Sequence, residues 1–403
     1  MVSRRSLLQS SAAAACLTSS AWPARAANAP GVTDTEIKFG QCMPYSGPAS
    51  AYSTIGRTEA AYFKMINETS GVNGRKLNFI SLDDAYSPPK TVEQTRRLVE
   101  QEHVAFIFQA LGGVTNAAIR PYLNDNKVPQ LFCAAASDSF ADTQHYPWTI
   151  ALNPGLRAEA QIYVRHILAT KPRAKIGILY QNDAFFGKPY VVGLHEGLGA
   201  ERLGMIVKEV SYEVTDPTVD SQIVSLQQAG VDTLIIAALP KASAQAIRKG
   251  YDIGWRLDRY ISYVSVSVAS VLKPAGLEKS AGLISSQWVK DPTDTRWKDD
   301  PGYKEWERFA LRYMSPTELV DANGAYGFNA ATLMVHVLKQ CGDDLSRENI
   351  MRQALNIKNL ELPMLLPGIK FNTSPTNYYP ARQTWLTRFN GENWELFGEL
   401  MTN

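Results

Sequence analysis

Three pairs of adjacent carboxylates, Asp83-Asp84, Asp299-Asp300 and Asp343-Asp344, are the residues that would matter most if this chain were a catalyst. Two carboxyl groups with separated acidities can share general acid and general base work. Immediate sequence neighbours standing beside prolines or glycines, however, have the composition of solvated turns. The five histidines, His103, His145, His166, His195 and His336, include no two spaced four apart on one helix face, as a zinc site built on a helix requires. Cys16, Cys42, Cys133 and Cys341 fit no metal or redox spacing, and no Gly-x-Ser-x-Gly elbow occurs. The sequence displays no catalytic machinery.

Residues suited to binding are easier to find. Tyr45-Ser46-Gly47-Pro48 forms a turn ahead of Tyr52. Its amides would suit an anion at a helix start, and the same residues would equally serve as a turn alone. Gly112 and Gly113 allow a backbone to approach a ligand closely, with Thr115 placed to cap the helix that follows. They lack the spacing of a phosphate loop. Ala135 and Ser137 offer a small-residue, backbone-dominated surface. Asn182 or Asp183 is placed to cap the next helix, and Phe185-Phe186, two aromatic residues in a loop, have a reason to be there if at least one covers a ligand. Val264, in the run Ser262-Tyr263-Val264-Ser265, ends a further strand and faces the same way.

Those loops need a scaffold, and the chain alternates apolar strand and amphipathic helix throughout. Strands are expected at residues 37–42, 77–82, 104–108 and 128–133, with helices at 51–70, 90–102 and 115–126 between them. A second run places strands at 175–180, 205–212, 233–237 and 259–263, with helices at 156–171, 188–203, 219–229 and 242–254. Such alternation implies α/β architecture with two doubly wound parallel-sheet lobes in series. A crossover strand at 283–288, helices at 303–314 and 323–341, a helix opened by Ser346 and a terminal hairpin around Asn390-Gly391 return to the same two lobes. Lobe 1 is assigned residues 34–150 and 288–345, and lobe 2 residues 151–287 and 360–403. Chains that cross repeatedly between lobes make hinges, and ligands in parallel sheets bind beyond the strands' carboxyl ends.

Arg4-Arg5, the small-residue run 10–15 and Ala24-Arg25-Ala26 read as an export signal over residues 1–26, cleaved near Ala26. Removing it takes three arginines and no acid from a net charge of +2, which leaves a mature chain close to neutral. With 45% hydrophobic and 20% charged residues and no basic block, the composition is that of a soluble globular protein without affinity for nucleic acid.

Taken in order, Ser46-Gly47-Pro48-Ala49 with Tyr52, Gly71-Val72-Asn73-Gly74-Arg75-Lys76, Asp83-Asp84, Tyr180-Gln181-Asn182-Asp183 through Gly187, and Pro363-Met364-Leu365-Leu366-Pro367-Gly368 resemble the branched-chain amino-acid (leucine-binding) family of ABC-transporter receptors, the type I periplasmic solute-binding proteins. The likeness runs through nearly all of the chain after residue 26. It implies two lobes joined by three crossovers around one small-molecule ligand, with no cofactor or metal and no enzymatic activity. It also implies a monomer in the periplasm and an ABC permease of the inner membrane as partner; the alternative is a sensor that presents its closed form to a membrane signalling partner. By the same resemblance, Gly112 and Ala135 to Ser137 stand where family members hold an α-carboxylate, and Phe186 stands at the loop aromatic. The acid that pairs with an amino-acid ammonium belongs near Val264, where none stands. A buried ammonium without a partner is costly. A hydrophobic or aromatic carboxylate against Phe185, Phe186, Tyr45 and Tyr52 suits these residues better than an amino acid, with Tyr326 and Trp288 as further walls.

Overall fold

Short runs of β-branched and aromatic residues between helices pair side by side because both faces can be covered. The computed structural model describes residues 28–402, so the expected export signal lies outside the described residues. The first sheet holds β1 (Glu36–Met43), β2 (Lys76–Asp83), β3 (Ile107–Phe108), β4 (Gln130–Cys133) and β5 (Thr149–Ala151), in the order β2-β1-β3-β4-β5. Every pairing in it is parallel. The second sheet holds β6 (Ile176–Gln181), β7 (Ile206–Tyr212), β8 (Thr233–Ala237), β9 (Asp258–Ile261), β10 (Ile284–Gln287), β11 (Gln383–Phe389) and β12 (Trp394–Thr402). Its parallel part runs β7-β6-β8-β9-β10, the same order as the first sheet, and the hairpin β11-β12 adds antiparallel beside β10. Two doubly wound lobes follow.

The chain passes from the first sheet to the second after β5, leaves it after β10 and rejoins it at β11. Between the last two passages, helices Pro301–Tyr313 and Ala322–Cys341 pack on helix Ser53–Glu68 beside the first sheet. Aromatic packing locks that layer: Phe39 stacks on Phe106 with centroids 4.9 Å apart, and Phe309 lies 5.0 Å from Phe328. Such pairs contribute roughly 0.5–1.5 kcal/mol each beyond the area they bury. Cys42, Cys133 and Cys341 are free and buried, and burial pushes each thiol up to about 12, which keeps them protonated and inert.

Local differences from the sequence-based expectation have physical causes. Residues 104–106 are buried beside β1, where the Ala105 amide donates to the Lys38 carbonyl and the Gly40 amide to the Phe106 carbonyl, but the paired part of β3 has two residues rather than five. The helix expected at 90–102 is α-helical over Pro88–Arg96 and continues as one wide π turn, Arg97–Gln101. The hairpin around Asn390-Gly391 turns through a four-residue loop. Phe389 pairs with Trp394, and the Asn390 amide donates to the Asn393 carbonyl at 3.0 Å. Among the described residues no helix is long and apolar enough to cross a membrane.

Candidate ligand-binding site

The carboxyl ends of both sheets face one cleft cavity of about 120 Å³. From the first sheet, Tyr86 follows β2, Tyr52 follows β1, Leu111 to Gly113 follow β3, Ala134 to Ala136 follow β4 and Asn153 follows β5. From the second, Phe185 and Phe186 follow β6, Leu239 follows β8, Tyr263 and Val264 follow β9, and Gln287 and Trp288 close β10. The start of helix Ala322–Cys341 supplies Asn323 and Tyr326. Parallel strands deliver all their carboxyl ends to one side, which is why so many separate segments meet here.

Backbone conformation tightens the first-sheet wall. Gln109 and Phe132, beside the ends of β3 and β4, adopt left-handed φ values of 51° and 52°, and a hydrogen bond from the Gln109 side-chain amide to the Phe132 carbonyl ties the two together. Gly112 follows with φ 104°. A Cβ there would stand 2.5 Å from the Tyr86 ring, and one on Gly113 would stand 2.5 Å from the Phe185 Cβ. Gly112 needs glycine for its left-handed backbone and for packing against Tyr86 within the first lobe, and Gly113 needs it for the two lobes to meet. Helix Gly113–Asp125 begins here without a side-chain cap. Thr115, the expected cap, instead donates to the Leu111 and Gly112 carbonyls, because it already lies inside the first turn. Among the described residues the amides of Gly113, Val114 and Thr115 have no acceptor. The neighbouring helix start is different: Asp183 accepts from the Phe185 and Phe186 amides at 2.7 Å, while Asn182 binds Glu213.

Among the described residues no side chain in the cavity wall is charged. Burial pushes the hydroxyls of Tyr52, Tyr263 and Tyr326 far above the ordinary phenol range, so they remain neutral. Each is already engaged. Tyr52 donates to the Val264 carbonyl at 3.0 Å, joining the lobes, and Tyr263 donates to the Pro154 carbonyl at 2.7 Å. Tyr326 donates to the Asn153 Oδ1 at 2.8 Å, with Gln109 Oε1 at 3.2 Å. Acids stand only behind the wall. Asp321 accepts from Ser267 and Ser270 at 2.9 and 3.2 Å, and Asp291 accepts from the Val268 amide at 3.1 Å. Burial raises both carboxyls, Asp291 to about 6.

Of the residues singled out from sequence, the structure brings Tyr52, Gly112, Gly113, Ala135, Phe185, Phe186, Val264 and Tyr326 to the cavity, together with Trp288. It puts Tyr45, Ser46 and Ser137 elsewhere. The Tyr45 hydroxyl lies 2.6 Å from Ser81 Oγ on the far side of the loop. Ser46 gives its amide and hydroxyl to Asp83 at 3.1 and 2.7 Å, so this chain's own carboxylate occupies the turn proposed for an anion. Ser137 Oγ accepts from the Ser139 amide as the cap of a short 3-10 turn. Asp84 also departs from the solvated-turn reading. It is fully buried and accepts from the Tyr86 amide at 2.9 Å and the Thr91 hydroxyl at 2.8 Å, which turns Tyr86 into the cavity. Sequence reasoning does not single out Tyr86, Asn153 or Gln287. The signal available for Tyr86 and Gln287 is their position at strand carboxyl ends.

Comparison with known proteins agrees with this architecture. The periplasmic binding protein family model matches residues 36–393. A Leu/Ile/Val-binding protein homolog 7 from Brucella abortus (strain 2308) is 25% identical over 234 residues, 55% of this chain, and the chain spans only 57% of that relative's length. A branched chain amino acid ABC transporter from Thermus thermophilus with bound valine superposes with TM-score 0.82 at 16% identity, covering 92% of this chain and 98% of the other. A fatty acid ABC transporter substrate-binding protein from Thermomonospora curvata gives TM-score 0.77 at 20% identity, covering 94% and 95%. At these identities the structural likenesses establish the fold, and the family match adds that the chain is a receptor rather than an enzyme. Two like-ordered sheets facing one cavity, matched along almost their whole length, place this chain in the periplasmic binding protein family, with the type I two-lobed fold.

Proposed function

We propose that the protein is the extracytoplasmic substrate-binding receptor of an ABC importer and that its ligand is a small hydrophobic or aromatic carboxylate. One observation carries the ligand class: an apolar cavity without a charged side chain among the described residues is lined at Gly113 by a helix start whose first three amides are unbonded. A helix N-terminus and free amides stabilise an anion. An ammonium brought into the same wall would find no carboxylate, and its desolvation would go uncompensated. The cavity volume of about 120 Å³ is close to the roughly 150 Å³ of an apolar cavity that holds benzene, so a single ring or a short branched chain fits. Among solved structures of this fold, one is named for fatty acids and one was determined with bound valine; the uncharged wall supports the acid over the amino acid. Release of the ligand to a permease of the inner membrane, from a mature protein in the periplasm, completes the proposed role.

Calorimetric titration tests the reading. 4-Methylpentanoate, which is leucine without its amino group, is expected to bind at least tenfold more tightly than leucine, about 1.4 kcal/mol. Tighter binding of leucine would defeat it. The aromatic wall gives a second expected result. Replacing Phe185 and Phe186 together by alanine weakens binding of the same acid about tenfold or more, whereas an unchanged dissociation constant would remove both rings from the ligand's surroundings.

A further inference from the structure

Behind the uncharged wall lies a buried cation. Arg120, in helix Gly113–Asp125, is 7% exposed. Its guanidinium lies between two rings, 3.8 Å from the Tyr146 centroid and 4.8 Å from the Phe140 centroid. Nη1 donates to the Ser139 carbonyl at 2.6 Å, and Nε is buried with no acceptor. Arg75 and Lys290 are comparably buried, yet each has a carboxylate partner, Asp343 at 3.3 Å and Asp300 at 2.6 Å. Arg120 pairs with no carboxylate among the described residues. Acids of the neighbouring loops are engaged elsewhere: Asp138 faces Arg157 at 3.6 Å, Asp142 holds His145, and Asp183 accepts from the Phe185 and Phe186 amides. A buried cation without a counter-ion is costly, and an anion that arrives nearby offsets the cost.

The helix directs this charge toward the cavity. Residues four and seven apart share a helix face, so Gly113, Ala117 and Arg120 form one stripe. At 1.5 Å per residue, about 10 Å of axis separates Gly113 from Arg120, and helical side chains lean toward the N-terminus. The whole stripe is turned to Phe185. A Cβ on Gly113 would meet it, Ala117 packs with it on the cluster of Cys133, Ala135, Phe140 and Ala151, and the Phe140 ring lies 6.2 Å from its ring. Arg120 therefore stands behind the Phe140–Phe185 pair, at the end of the cavity where the helix starts. Solvent ions screen a charge in such surroundings far less than one at the surface.

We propose that Arg120 is a specificity-determining residue that acts through space: its charge, held away from water behind Phe140 and Phe185, selects an anionic ligand without touching it. This rests on the proposed seating of the carboxylate at the Gly113 helix start. The free amides fix where the carboxylate sits, and Arg120 adds the full positive charge that the wall lacks. Unit charges about 10 Å apart at an effective dielectric constant of about 20 attract strongly enough for roughly tenfold in affinity. A neutral ligand of the same shape gains nothing from this charge, so the site discriminates by charge as well as by fit.

Two nearly isosteric probes test this: 4-methylpentanoate and its neutral carboxamide, 4-methylpentanamide, differ in charge and little in shape. The full-length mature protein is titrated with each by direct or displacement calorimetry, alongside Arg120→Lys, Arg120→Gln and Arg120→Met. Wild type and Arg120→Lys are expected to bind the acid at least tenfold more tightly than the amide. In Arg120→Gln and Arg120→Met the preference is expected to fall about tenfold through loss of acid affinity, with amide binding within about twofold of wild type. Retained amide binding reports that these variants are folded, and Arg120→Gln keeps a donor for the Ser139 carbonyl if Arg120→Met does not fold. A preference that survives both neutral substitutions, or acid and amide weakened equally, would make Arg120 a purely structural residue; either result overturns the inference and leaves the carboxylate reading standing. Wild type binding the amide as tightly as the acid would overturn the two together.

Discussion

Gly113→Val is expected to weaken ligand binding at least a hundredfold, about 2.7 kcal/mol, while the protein remains folded. The glycine lies in the first turn of helix Gly113–Asp125 without a positive φ, so the backbone there accepts a side chain. What does not accept it is the facing lobe. The first added carbon would stand 2.5 Å from the Phe185 Cβ and 3.1 Å from the Phe185 carbonyl oxygen, contacts that packed atoms do not tolerate. Phe185 is held by the hydrogen bond its backbone amide donates to the Asp183 carboxylate, so the loop cannot simply swing away. The strain is relieved by separating the lobes. Separation breaks the Tyr52 bond to Val264 and opens the cavity to water. Calorimetry with the tightest-binding acid measures the loss. Small-angle scattering supplies an independent check, since the variant should keep an expanded radius of gyration at ligand concentrations that compact wild type. Gly204→Ala, where an added carbon meets nothing within 4 Å, is the matched control and should bind as wild type does. Wild-type affinity in Gly113→Val would mean that the two loops are not a closing contact.

The same contact shows how far sequence reasoning reaches. Strand and helix alternation fixes which loops lie at carboxyl ends, because chain direction in a parallel sheet is uniform; hence Gly112, Gly113, Phe185 and Phe186 stand out from their order in the chain alone. The two similar strand orders follow from the same repetition. Tyr45 and Ser46 lie in an equally suggestive loop and yet face away, because Asp83, far along the chain at the end of β2, captures the Ser46 amide and hydroxyl. A loop's aim depends on which polar group reaches it first, and that partner is distant in sequence. Gln287 is harder still, because a glutamine ending a strand is ordinary in type and only the folded chain places it in the cavity wall. Asp84 teaches the reverse lesson: a charged pair before Ser-Pro-Pro resembles a solvated turn, but one member is buried because the turn it supports must aim Tyr86 inward.

Glu159 carries the largest expected effect on stability. It is 1% exposed in helix Leu156–Thr170 and accepts from the Ser286 hydroxyl at 2.9 Å and the Tyr263 amide at 3.0 Å, with the Tyr163 and Tyr190 hydroxyls also in contact. Burial pushes its carboxyl from the usual 4.5 up to about 7, with these donors restraining the rise. Geometry agrees with a retained proton. Tyr163 has a single hydroxyl proton and also faces the Ile261 carbonyl at 2.7 Å, so a protonated Glu159 can donate to the phenolic oxygen while the phenol serves Ile261. Because the folded state holds this proton more tightly than the unfolded chain, the stabilisation is complete below pH 4.5 and is lost as pH rises toward 7. The shift corresponds to about 3 kcal/mol. Wild type is therefore expected to lose about that much stability, relative to Glu159→Gln, between pH 4.5 and 7 in denaturant titrations. Glu159→Leu, which strands donors from Tyr263, Ser286 and Tyr190 at once, should be destabilised by about 3 kcal/mol or more at the acidic end. A parallel pH profile for wild type and Glu159→Gln would show that the carboxylate is already ionised when folded. The outcome bears on binding as well, since Tyr263 lines the cavity and Ser286 immediately precedes Gln287. This carboxyl fixes the ends of β9 and β10 from behind, so a stretch of the cavity wall is held by a group whose charge changes near neutral pH.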